Sequence, residues 1–207
     1  MQQILGRREL NKTRTRESIT AALRHLAEQS PLEEVTVEQL AEEAGISRRT
    51  FFNYFGSIPA VISEVFTSHA AVMVEALDLE LLRRDPIEAV RALVAHDAIP
   101  ADFLGWLAAL NCHQSTSEAS VLVERAVWAD LAAWLEGELE VMLPARTDPL
   151  YVATLAAGVM GTFAAAEQAW LAGLGGRTVL RPADLRSFTG HLDHALSYLA
   201  QGWRIPT

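Results

Sequence analysis

Cysteine is almost absent. Cys112 is the single one in 207 residues, which excludes an intramolecular disulfide and a thiolate zinc cluster and makes a reducing cytoplasm the simplest compartment. Internal repeats, low-complexity tracts and sustained apolar–polar alternation are lacking as well, so repeat, disordered and β-rich architectures are excluded. The basic N-terminal stretch with Arg7, Arg8, Lys12, Arg14 and Arg16 has no apolar run behind it, and no signal peptide is expected. There is no Gly-rich phosphate loop, no Ser nucleophile elbow and no HExxH, so neither enzyme chemistry, cofactor nor metal is expected. Residues 150–166 carry no charge. They also lack the flanking Lys/Arg that anchor an inserted helix, and they read as a buried helix with no membrane partner.

What is present is a core. Half of the residues are apolar, ample for about one and a half domains of ordinary size. The net charge of −9 speaks against nucleic acid until it is divided along the chain. Residues 1–60 hold eight basic and eight acidic side chains, whereas 61–207 hold nine against eighteen. Basic charge is therefore local, in the N-terminal arm and in the adjacent pair Arg48-Arg49, and a basic patch survives where a basic protein does not.

The pattern is all-helical. Ile19, Leu23 and Leu26 recur at helical spacing in a first helix over 13–29, ended by Ser30-Pro31. Thr36 with Gln39 three residues on is a capping box for a second helix, which Gly45 stops. Ser47 caps a third running through Phe55, and Pro59 opens a fourth over 58–79. Breaks at Asp85-Pro86, Ile99-Pro100, Gln114-Ser115, 144–149 and 173–182 delimit helices over 87–98, 101–113, 117–143, 150–173 and 183–201.

Val37 to Phe55 is the informative segment. Leu40, Ala41, Ala44, Ile46 and Phe51 face inward from two short helices, and the turn Ala44-Gly45-Ile46-Ser47 is too tight for large side chains. This spacing is that of a helix-turn-helix, whose second helix enters the major groove by its N-terminal end. Arg48, Arg49 and Thr50 occupy that end; on spacing alone, a helical hairpin with a solvated arginine pair is the other reading.

Over Thr15 to Phe66 the chain resembles the DNA-binding domain of the TetR family of transcriptional regulators. The resemblance rests on the basic first helix, Thr36-Val37, the run Ala41-x-x-Ala-Gly-Ile-Ser47, an aromatic-rich third helix and an apolar start to the fourth. It implies a homodimeric repressor on double-stranded DNA with an inverted-repeat operator, released by a small apolar or amphipathic effector. It implies a helix-turn-helix domain over 1–57 and a helical ligand-binding and dimerisation domain over 58–207. Arg48, Arg49, Thr50 and Asn53 match outward positions of the recognition helix next to its cap, Ser47. Thr36 and Tyr54 match phosphate contacts, and Arg14 and Arg16 a backbone-following arm, while Phe51 and Phe55 match buried positions. Phe52 stands where the family usually has Tyr, and Ile58 where it usually has Lys, so two phosphate contacts are missing. The rival from another class is a helical carrier or enzyme with an incidental helix-turn-helix.

In the second part Gly158, Gly161 and Ala165 give one helix a small face, and Leu185, Phe188, Leu192, Leu196 and Leu199 give the next an apolar stripe. On the resemblance these two helices build a dimer bundle; within a monomer they can pack on each other. Phe103, Trp106, Trp128, Phe163 and Trp170, with Phe66, Met73 and Met160, are either ligand-lining or plain core. Glu124 and Glu167 fall in apolar rows, where a carboxylate has to be paired or neutral. Cys112-His113 reads as an inert pair, and His191 and His194 as surface histidines.

Overall fold

Proline and short polar side chains punctuate this chain. The structure, a computed structural model, describes residues 7–96, 98–113 and 117–202; the break at Gln114-Ser115 lies outside them. Among the described residues the regular structure consists of ten α-helices and one 3₁₀ turn. These are α1 (Arg7–Gln29), the turn Leu32–Glu34, α2 (Val37–Glu43), α3 (Arg48–Tyr54) and α4 (Ile58–Glu75), then α5 (Leu79–Arg84), α6 (Pro86–Ala95), α7 (Ala101–Asn111), α8 (Glu118–Met142), α9 (Pro149–Leu174) and α10 (Pro182–Ala200). The fold is all-α, as the periodicity requires.

Local chemistry explains the starts. Thr36, Ser47, Ser57, Asp85 and Asp148 each accept a first-turn amide with the side chain, and prolines in the first turn follow the caps of α4, α6 and α9. The helix expected over 87–98 ends at Ala95 and that over 101–113 at Asn111, and two larger differences lie nearer the N-terminus. Helix α1 already runs from Arg7, so the basic arm is helical; the side chains of Arg7 and Arg8 lie outside the description. The fourth helix stops at Glu75 instead of 79, because Asp78 accepts the amides of Glu80 and Leu81 and opens α5.

One apolar core joins both parts of the chain. Ile19 and Leu23 of α1, Leu40 of α2, Phe51 of α3 and Val61 of α4 are sealed from solvent and continuous with Phe103, Leu107, Trp170 and Phe188 beyond them. Burying one such ring contributes about 1.5–3 kcal/mol. The stripe Phe188, Leu192 and Leu196 is buried within the monomer, where α10 packs on α9 and α6 and Arg91 pairs with Asp193 at 2.9 Å. A smaller cluster, including Leu82, Leu139 and Val152, closes the far end. By length and composition α4 and α9 are apolar enough to cross a membrane; here they pack on α8, and α9 also on α10.

Asp184 locks the α9–α10 corner. Its carboxylate accepts from the Arg181 side chain at 3.0 Å and the Arg181 amide at 2.9 Å, with Arg177 at 3.3 Å, while its carbonyl accepts from the Trp170 indole at 2.8 Å. The Arg181 hydrogen bonds hold this carboxyl well below the usual carboxylate range. A depressed native pKa stabilises the fold above the unfolded pKa and ceases to do so as pH falls through the native one. Asp184→Asn should therefore lower the melting temperature near neutral pH, and the deficit should shrink as the pH drops below about 4, which circular dichroism melts across that range will register.

Candidate nucleic-acid interface and ligand cavities

The α2–α3 unit is held by its turn. Gly45 adopts φ 67°, a left-handed conformation in which a side chain is strained, and Ile46 donates its amide to the Ala41 carbonyl at 2.9 Å. Leu40, Ala41 and Phe51 are buried beneath. The Thr36 hydroxyl accepts the Gln39 amide at 3.2 Å while Gln39 Oε1 accepts the Thr36 amide at 2.9 Å, so the expected capping box is present. Ser47 Oγ accepts the Thr50 amide at 3.0 Å and shares a 2.8 Å hydrogen bond with the Thr50 hydroxyl. Both hydroxyls are thereby committed to the cap.

The outward face of α3 is Arg48, Arg49, Phe52 and Asn53, all exposed; Phe52 is 51% accessible and packs edge-on against Phe51. Arg48 is paired with Glu38 of α2 at 2.8 Å. Thr50 and Tyr54 are half-buried, and Thr36 and Arg14 are exposed. Arg16 lies differently from Arg14: it pairs with Glu64 of α4, and its guanidinium sits 5.2 Å from the Phe55 ring centroid and 6.0 Å from that of Tyr54. It braces α1 against the α3–α4 corner. Ile58 is half-buried against the core at the head of α4.

The aromatic residues of the second part divide between two spaces. An apolar cavity of ≈ 120 Å³ is lined by Met73, Phe103, Trp134, Met160 and Phe163, among other hydrocarbon side chains. A cleft of ≈ 80 Å³ lies between the Pro31–Glu33 turn, Phe66 of α4, His113 just after α7, Glu124 and Trp128 of α8, and Glu167 of α9. Four rings stand between them: Phe66–Phe103 at 5.3 Å, Phe103–Phe163 at 5.7 Å, Phe163–Trp128 at 5.6 Å and Trp128–Phe66 at 6.2 Å. Trp106 and Trp170 line neither space. Trp170 is core, its indole spent on Asp184, and Trp106 is buried beneath the Arg24 guanidinium at 5.7 Å.

The two carboxylates part company. Glu124 is exposed, because α8 turns its side chain to the mouth of the cleft instead of into an apolar row. Glu167 is 5% accessible, and among the described residues no hydrogen bond or ion pair reaches its carboxyl. Burial, reinforced by Glu124, pushes that carboxyl up to about 8. Cys112 is half-buried, its thiol donating to the Ala109 and Ala27 carbonyls, and burial raises its pKa, the opposite of a reactive thiolate. No group of three or more metal-ligating side chains occurs among the described residues. Sequence reasoning missed Glu33 and His113 as cleft residues. They meet α8 and α9 across long chain separations that no local pattern encodes.

Because the native chain keeps the Glu167 proton to about pH 8 whereas the unfolded chain releases it near its ordinary value, stability falls as pH rises through the interval between them. Glu167→Gln should flatten that decline and leave the variant more stable than the parent above about pH 8, read from denaturant midpoints at a series of pH values.

Residues 19–65 match the family model described as bacterial regulatory proteins, tetR family. A comparison with curated proteins finds no match. The crystal structure of Thermus thermophilus FadR, a TetR family transcriptional repressor, in complex with lauroyl-CoA superposes over 93% of this chain and 96% of that one, at 20% identity and a TM-score of 0.51. A transcriptional regulator from Rhodococcus sp. Rha1 aligns over 92% of this chain and 99% of its own, at 18% identity and a TM-score of 0.48. The first of these shows a shared fold along nearly the whole chain. The match to bacterial regulatory proteins of the tetR family falls on the second half of α1, the capped α2, the Gly45 turn, α3 and the first turns of α4, the elements whose geometry is a helix-turn-helix.

Proposed function

We propose that the protein is a DNA-binding transcriptional repressor that grips an inverted-repeat operator as a homodimer and is released by a small apolar or amphipathic effector. The observation that carries the reading is the exposed row Arg48, Arg49, Phe52 and Asn53 on a seven-residue helix that the Gly45 turn and the Ser47 cap hold rigid. Apart from the exposed Arg48–Glu38 pair and the edge contact of Phe52 with Phe51, the row faces solvent, and its chemistry suits the major groove: arginines for guanine O6 and N7, an amide for adenine, an aromatic ring for thymine methyls. Arg14 and Lys12, exposed on α1, supply positive charge for the phosphate backbone.

One short helix reads only a few base pairs, so a second copy is needed for a selective site, with half-sites about one helical turn apart. The exposed small residues Gly161, Ala165 and Ala169 of α9, beside His191 and His194 of α10, offer a face on which another α9–α10 pair can approach closely. The apolar cavity behind Phe103 and Phe163 supports an effector with hydrocarbon character. Induction requires differential affinity: a thousandfold loss of operator binding needs about 4 kcal/mol of coupling. The helices that join the effector region to the head, α1 with α7 and α4 with α8, are the elements able to transmit it.

Selection from a random duplex library by the purified protein tests the reading, with an inverted repeat expected; recovery of sequences without symmetry, or of none, overturns it. Against the selected site, Arg49→Ala or Asn53→Ala should cost about 1–3 kcal/mol and relax preference at one position. Arg14→Ala should weaken all sequences alike and flatten the salt dependence of binding. Arg16→Ala should instead lower the melting temperature of the free protein, since Glu64 and Phe55 already occupy that guanidinium. Electrophoretic titrations at several salt concentrations, with parallel melts, separate the three behaviours.

A further inference from the structure

The cleft beneath the α1–α2 connection has a property that the apolar cavity lacks. Its floor is the Glu167 carboxyl, whose residue is only 5% accessible and which no hydrogen-bonding partner reaches among the described residues. No side-chain oxygen among the described residues is both fully buried and unpartnered, so this carboxyl keeps its remaining contact with water. The open side of this carboxyl is the cleft itself. The other titratable groups that line the cleft are Glu33 from the connection, His113 after α7 and Glu124 from α8; α4 contributes only Ile62 and Phe66. Among the described residues no lysine or arginine lines it. Two aromatic faces, Phe66 and Trp128, complete a lining that suits a positive charge carried on carbon. A bare metal ion does not fit, since the described residues hold no group of three ligating side chains.

We propose that this cleft is a recognition site for an organic ammonium group, which Glu167 receives as an ion pair and whose presence is felt directly by the Pro31–Glu33 turn of the DNA-reading head. At ≈ 80 Å³ the space is smaller than the 150 Å³ that accommodates benzene in an engineered cavity, and so it takes a compact amine head. The body of the ligand extends through the mouth or past the ring partition toward the apolar cavity. Binding converts Glu167 from its neutral to its charged form: the carboxyl proton leaves to solvent and the ammonium takes its place. The ligand then bridges α9 to the segment between α1 and α2 without passing through α4. The ammonium site stands on the cleft alone; its consequence for operator release rests on the repressor reading.

Hexylammonium and its neutral isostere hexanol are the probes, titrated calorimetrically into free protein near pH 7 in two buffers of different ionisation enthalpy. Hexylammonium should bind at least tenfold more tightly than hexanol and release most of a proton per site, because Glu167 is largely protonated at that pH given its raised value. Glu167→Gln, nearly isosteric and checked by its melting curve, should bring the amine to the affinity of the alcohol and abolish proton release. Glu124→Gln at the exposed mouth should weaken the amine only a few-fold and preserve the release. Hydrogen exchange should slow in residues 32–35 on amine binding, whatever happens in α6, which lines the apolar cavity. Equal affinity for amine and alcohol, no binding by either at millimolar concentration, full amine affinity in Glu167→Gln, or protection confined to α6 would each overturn the proposal. Operator titrations of the same preparations keep the two readings apart: amine binding without DNA binding defeats the repressor reading alone, and DNA binding without amine binding defeats this one alone.

Discussion

The constraint on which the rest depends is that the head and the second part share one hydrophobic core. Helix α1 is buried on two sides at once. Ile19 and Leu23 face Leu40 and Phe51 of the head, while the same helix packs along α7 and touches α4. Head and body therefore cannot drift independently as beads on a linker would, and any displacement of α4 or α7 has to be absorbed within a close-packed interior that prefers discrete arrangements to gradual strain.

Arg24 shows how this junction is specified. From α1 its guanidinium pairs with Asp102, lies over the Trp106 ring and rests against Gly105, where a Cβ would collide with it. Asp102 in turn faces His69 of α4 at 3.3 Å. The Arg24 hydrogen bond, with that of His69, lowers the Asp102 carboxyl despite the opposing effect of burial. Three helices thus meet at one carboxylate, and at Gly105 a side chain would displace the Arg24 guanidinium from its present place.

What could be read from sequence follows from this division between local and distant causes. The caps at Thr36 and Ser47, the Gly45 turn and the proline starts of α4 and α9 are local chemistry, and each appears in the structure within a residue or two of its expected place. The 3₁₀ turn after Pro31 and the restart at Asp78 were not anticipated, because a three-residue turn has no period and a single aspartate is a weak signal within an apolar run. The exposed face of α3 was legible, since a seven-residue helix with one buried ring leaves few side chains to choose from. The aromatic residues of the body were not separable by periodicity. Phe163 and Trp170 recur on the same side of α9, yet one lines a cavity and the other is core, a difference set by Asp184 on the following helix. Glu124 and Glu167 both fall in apolar rows of the sequence and have opposite fates, one exposed at the mouth of the cleft and the other buried.

The pairing of Arg48 with Glu38 has its own consequence. Both side chains are more than half exposed, so the pair itself adds little to stability. On the DNA-binding reading proposed above, this arginine would arrive at a duplex with a counterion already attached. An arginine of this kind displaces cations from DNA like any other, but it must shed a carboxylate that belongs to the protein and stays close by. Random phosphates compete poorly against that tethered acid, whereas a base edge offering two acceptors in one plane competes well. On that reading the acid on the preceding helix would act as a threshold, quieting the arginine over indifferent DNA and yielding it only where the groove presents a matching edge.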